Sequence, residues 1–165
     1  MRQIVGTILV IILIVLVAGA YWFSQANISA LATPSRLEAS IALRAKHWLI
    51  AKAARGALPA EPPATADNIS DGQMYYGSLC AGCHGYDART PTQLGVTMNP
   101  HAPSLAGRAG QSWSNAELYV IIHDGIRLSG MPGFGANERP DQIWALVHYV
   151  RSLPNGRPPA QAPAH

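Results

Sequence analysis

Thiols are scarce in this chain, and the scarcity excludes several kinds of chemistry at once. Only Cys80 and Cys83 occur among 165 residues, so the paired cysteines of a disulfide framework or of a four-ligand structural zinc site are missing. A disulfide between residues three apart would close too small a loop to restrain the unfolded chain much. Nowhere from Asp67 to Leu153 do apolar and polar residues alternate with a strand's period. Without a strand leading into the cysteines, a thioredoxin-like redox pair lacks its βαβ setting. Basic residues interleaved with aromatics are also missing from that stretch, which argues against nucleic acid as a partner.

Acid is short in one place only. Between Arg36 and Arg55 the bases Arg36, Arg44, Lys46, Lys52 and Arg55 face the single acid Glu38, whereas from Asp67 to Leu153 seven acids outnumber five arginines. The formal net charge of +3 therefore belongs to one segment. Charge is absent altogether from Ile4 to Phe23, a run of 20 residues rich in Ile, Val and Leu. As a helix it would rise about 30 Å, enough to cross a bilayer. Tyr21-Trp22-Phe23 closes it with the aromatics expected at a membrane interface.

Ala18-Gly19-Ala20, after the apolar core Ile4 to Val17, also offers a signal-peptidase site. A retained span is favoured because the apolar character continues past that site. Either outcome carries the rest of the chain across the membrane. The basic segment then lies on the outer side, against the positive-inside tendency, but it starts 13 residues beyond the span and weighs little.

What is present is Cys80-Ala81-Gly82-Cys83-His84. Two cysteines three apart with a histidine after the second put two thiols and an imidazole on about one turn at the end of a helix. That spacing suits covalent attachment of haem c, the thiols adding across two vinyl groups and His84 lying under the iron as proximal ligand.

Five segments are expected around this motif: a transmembrane anchor or signal peptide over 1–25, a basic amphipathic helix over 33–56, a Pro/Ala linker over 57–66, the main domain over 67–153, and a disordered Pro/Ala tail over 154–165. The basic helix places Leu37, Ile41, Ala45, Trp48 and Leu49 along one face. It could lie on the membrane, pack on its own domain or dock a partner. Within the main domain, helices are predicted from Ser70 to Cys80, from a capping box at Ser114 to a stop at Gly125, and from Pro140 to about Leu153. The Gly- and Pro-punctuated stretch from His84 to Gln111 is expected to be irregular.

The second face of the iron has six candidates, Met74, Met98, Met131, His101, His123 and His148. Met74 is expected to point into packing, and the two helical histidines to serve structure or solvent. Met131 lies 47 residues beyond His84, far enough for the chain to return to the opposite face, in a Gly/Pro loop that can aim a thioether. Met98 and His101 are its rivals.

From Asp67 to Leu153 the chain resembles the class I cytochrome c family. His84 follows the cysteine pair as the family's proximal histidine does, and Met131-Pro132 sits just before the last helix as its distal methionine does. Gly72 and Tyr76, with Leu146 and Tyr149, match the family's crossing of first and last helices. Pro103-Ser104-Leu105 matches the site whose proline carbonyl accepts the proximal imidazole's hydrogen bond. Asn99-Pro100-His101 departs from the plain pattern.

The resemblance implies an all-α protein, with a small cytochrome c fold around one covalently bound haem c, preceded by a single transmembrane helix and a basic helix. Cys80, Cys83, His84, Pro103, Leu105 and Met131 would contact the cofactor, with His84 and Met131 on the metal. The expected role is a membrane-tethered carrier of single electrons on the periplasmic side of a bacterial inner membrane, with no catalytic residues. Its partners would be a quinol-oxidising complex or dehydrogenase and a terminal oxidase or reductase. Two alternatives are a subunit of a larger dehydrogenase or oxidase, and a haem enzyme or gas sensor with an open distal site.

Overall fold

The computed structural model describes residues 2–25, 29 and 31–153; the expected tail, 154–165, lies outside them. The chain divides into two compact units, Met1–Thr33 and Pro34–His165. The first holds α1 (Arg2–Ser24). Its apolar stretch Gln3–Ser24 is 22 residues long with no buried share, a candidate membrane span by length and composition. In water such a helix would expose Ile, Val and Leu on every side, a cost that a bilayer would remove.

The second unit contains α2 (Arg36–Ala53), α3 (Ala66–Leu79), α4 (Ala81–His84), α5 (Gln93–Thr97), α6 (Arg108–Gln111), α7 (Asn115–Asp124) and α8 (Pro140–Ser152), with no strand among the described residues. The protein is all-α. Its core forms where α3 crosses α8. Gly72 makes that crossing possible, because a Cβ there would run into the Ala145 carbonyl and the Tyr149 side chain. One turn on, the rings of Tyr76 and Tyr149 meet at 5.1 Å, and Leu146 is buried in the same cluster.

Caps set the helix boundaries. Thr65 accepts from the Asn68 amide at 3.2 Å, so α3 starts four residues earlier than the expected Ser70. Ser35, rather than Pro34, opens α2 by accepting from the Glu38 amide. At α7 the expected box is complete, with Ser114 and Glu117 bonded reciprocally and Gly125, at φ 72°, ending the helix. Pro140 takes the first turn of α8, where its missing N–H costs nothing. The stretch from His84 to Gln111 departs from expectation by containing α5 and α6. Thr92 caps α5 through the Gly95 amide, so the breakers shorten helices there without abolishing them.

α8 is buried on all sides from Ile143 to Val150, more than its apolar stripe alone predicts. The Pro/Ala segment 57–65 covers its outer face. Trp144 Nε1 donates to the Pro59 carbonyl at 3.2 Å, His148 Nε2 lies 3.3 Å from Glu61 Oε1, and Leu58 packs against the core. The expected linker is thus docked, a strap laid over α8. α2 packs on α7, burying Ile50 and stacking His47 on Trp113 at 4.2 Å. Of the three fates open to the basic helix, one side has taken the packed one.

Candidate functional site

Cys80 joins α3 to the single turn of α4. Its carbonyl accepts from the amides of Cys83 and His84 at 3.1 and 3.0 Å, so both thiols and the imidazole belong to one tight bend. Gly85 ends the bend at φ 81°, and a side chain there would strike the Thr90 carbonyl. Two neighbours pin the bend from outside. The Tyr76 hydroxyl donates to the Gly85 carbonyl at 2.5 Å, and Thr92 donates through Oγ1 to Gly82 O at 2.6 Å and through its amide to Cys83 O at 3.0 Å. Gly95 lies so close to the Cys83 carbonyl that no Cβ fits.

His84 is 8% exposed, and its Nδ1 lies 2.9 Å from the Pro103 carbonyl. A carbonyl can only accept, so Nδ1 carries the hydrogen and the neutral ring keeps its lone pair on Nε2. Burial pushes the imidazole's pKa below its ordinary value, outweighing the opposite pull of the Pro103 bond. The neutral, ligand-competent form is therefore the favoured one.

Leu105 and Ala106 hold that carbonyl's segment in register, both amides donating to Ala88 O at 2.9 and 3.2 Å. Leu105 itself is half-buried against the core. Ala88 adopts φ 55°, and nothing in an alanine's identity announces this role. Asp87 shapes the same turn by accepting from the Arg89 and Thr90 amides at 2.9 and 2.8 Å.

Met131 is half-buried in the loop between α7 and α8. The loop is stapled to α7: Phe134 N–H donates to Ile122 O, Gly135 N–H to His123 O, and Ile126 N–H to the Met131 carbonyl, at 3.0, 2.9 and 3.1 Å. Gly125 and Gly133 allow this closure, since a Cβ at either would meet the opposite strand of the loop.

The structure brings Met98 to the same loop. Its thioether occupies the space a side chain at Gly130 would need, so the rival's loop does reach the Met131 loop, through a contact between segments 32 residues apart. His101 is exposed. His123 is engaged by Asp124 at 2.7 Å and stacked on Tyr119, and His148 is buried beside Glu61. Met74, expected in packing, is 63% exposed, because α3 turns its Gly72–Tyr76 face to α8 instead.

Both thiols are free and half-buried. Burial, with Cys83 close by, pushes the Cys80 thiol up to about 12, far from the thiolate that a reactive redox cysteine needs. Among the described residues no three His, Cys, Asp or Glu side chains cluster to hold a bare cation. The donor set fits a porphyrin-held iron instead. For such a group Cys80 and Cys83 would supply the two thiols for attachment and His84 a neutral imidazole donor to the iron.

Residues 67–150, about half the chain, match the family model described as Cytochrome C oxidase, cbb3-type, subunit III. No curated protein matches the chain.

Proposed function

We propose, from the premise that this chain belongs to the cytochrome c family and is a haem-based electron carrier, that it holds one haem c and works tethered to a membrane. The chemistry supplied by bound haem c is one-electron exchange between ferrous and ferric iron. Cys80 and Cys83 would fasten it, and His84 Nε2 and the Met131 thioether would hold its iron. Pro103 keeps the imidazole oriented and raises its basicity. Leu105 packs beneath that segment. A thioether donor would favour the reduced state, and iron held by both His84 and Met131 would be suited to electron exchange rather than to binding a substrate.

α1 anchors the chain in a bacterial inner membrane with the haem domain on the periplasmic side. There it passes electrons from a quinol-oxidising complex or dehydrogenase to a terminal oxidase or reductase. The observation that carries this reading is His84, buried and neutral, with Nδ1 bound to Pro103 O at 2.9 Å on the turn that holds both thiols. The matched family's description as an oxidase subunit favours a second reading, a fixed subunit of a larger complex.

One preparation tests both. Membranes from cells able to attach haem c should contain a polypeptide that keeps its haem colour through a denaturing gel and whose thiols resist alkylation. Two alkylatable thiols would refute covalent attachment. Purification alone, in mild detergent, supports the free carrier; a constant ratio to other haem subunits supports the second reading.

A further inference from the structure

We infer that the outer face of α2 lies on the surface of an anionic bilayer, a reading that rests on the proposed tether. Two sides of this helix differ in kind. One packs on the domain through Ile50, with His47 and Lys46 over the Trp113 ring. On the other, Leu37, Ile41 and Trp48 fall within about 40° of each other at 100° per residue. These three side chains are 59% to 70% exposed. Arg44 and Lys52 flank this stripe and Arg55 follows it, all exposed, with Glu38 the one acid of the helix.

Several observations name lipid as the occupant. An apolar stripe edged by cations matches an acyl boundary overlain by anionic headgroups. Lys52 Nζ sits 5.3 Å over the Trp48 ring, and both side chains carry an apolar body and a polar tip suited to that boundary. Only eleven residues separate the candidate span from α2, a leash of about 40 Å at full stretch, which would hold the helix at high effective concentration near the headgroups. α2 also packs on α7, so a docked α2 would fix the domain's height and tilt above the bilayer. The placement also explains why a basic segment sits on the side where the positive-inside tendency disfavours it. These bases address lipid rather than topology.

The test uses the haem-loaded full chain in nanodiscs of phosphatidylglycerol, with a nitroxide label at Ile41→Cys or Ala45→Cys, leaving Trp48 in place. Ile12→Cys on α1 and Gln93→Cys on the exposed part of α5 serve as references; the unsubstituted protein should take up no label. Collision rates with oxygen and with a water-soluble nickel chelate report depth. Labels at 41 and 45 should show oxygen-to-nickel ratios well above that at 93, falling toward it in phosphatidylcholine or with Arg44→Gln, Lys52→Gln and Arg55→Gln combined. Ratios at 41 and 45 equal to that at 93, with 12 in lipid, would overturn the inference and leave the face to a protein partner. A water-like ratio at 12 would overturn the tether itself.

Discussion

At His84 a single hydrogen bond decides which nitrogen keeps its lone pair, and at Met131 backbone hydrogen bonds to its neighbours fix the loop that carries the thioether. On the proposed ligation, replacing Met131 by Ala would remove a donor that favours ferrous iron. The reduction potential should fall by a few tenths of a volt, within the roughly 0.8 V that axial ligands span. Imidazole or carbon monoxide should then bind, measured by spectroelectrochemistry and ligand titration. Gly130→Ala would displace the Met98 thioether and disturb the Met131 loop, so a smaller shift of the same sign is expected.

Asp87 supplies the pH dependence. Burial alone would raise its pKa, but the amides of Thr90 and Arg89 outweigh that and hold it below its ordinary 3.8. A depressed carboxylate stabilises the fold above its unfolded pKa and loses that contribution as pH falls through the folded one. Asp87→Asn should therefore cost about 1 kcal/mol near neutrality, at the low end for bonds to a charged group because the site is partly solvated. In chemical denaturation the gap from the unsubstituted protein should close below pH 3.8.

Among the elements, the strap is the part whose behaviour departs most from its composition. Residues 57–65 are as Pro- and Ala-rich as a flexible spacer, yet they shield Trp144 and His148. In the folded, haem-loaded protein this segment should resist proteolysis. Leu58→Ala should lower stability by about 1–2 kcal/mol, below the range for a fully buried leucine, and open the strap to cleavage. Cutting at 57–65 as fast in the unsubstituted protein as in Leu58→Ala would show that it hangs free. The strap was illegible in the sequence because its hold comes from a backbone carbonyl and a few side chains, none of which forms a periodic pattern. The helices it covers were legible for the opposite reason. The Ser114 box, the Gly125 stop, Pro140 and the Ile143–Val150 spacing are local signals. The Gly72–Tyr149 crossing came through family resemblance. Met98 against Gly130 and Ala88 at positive φ are tertiary facts with no local trace.

For the whole molecule, α1 is the candidate membrane span, and α3 with α8 form the frame on which two loops, 85–106 and 125–135, are hung. A domain of this size has limited apolar surface to bury, so a covalently held cofactor would complete its core as well as give it a function. The motif turn and the Met131 loop are each tied down by hydrogen bonds to neighbouring backbone, a stiffness that suits a site meant to change charge without changing shape. The most direct test is proton NMR of the reduced, haem-loaded protein with methyl-labelled methionine. One methyl signal should be driven far upfield by the porphyrin ring current and vanish in Met131→Leu. A shifted methyl that survives that substitution, or no shifted methyl at all, would contradict Met131 as the iron's distal ligand.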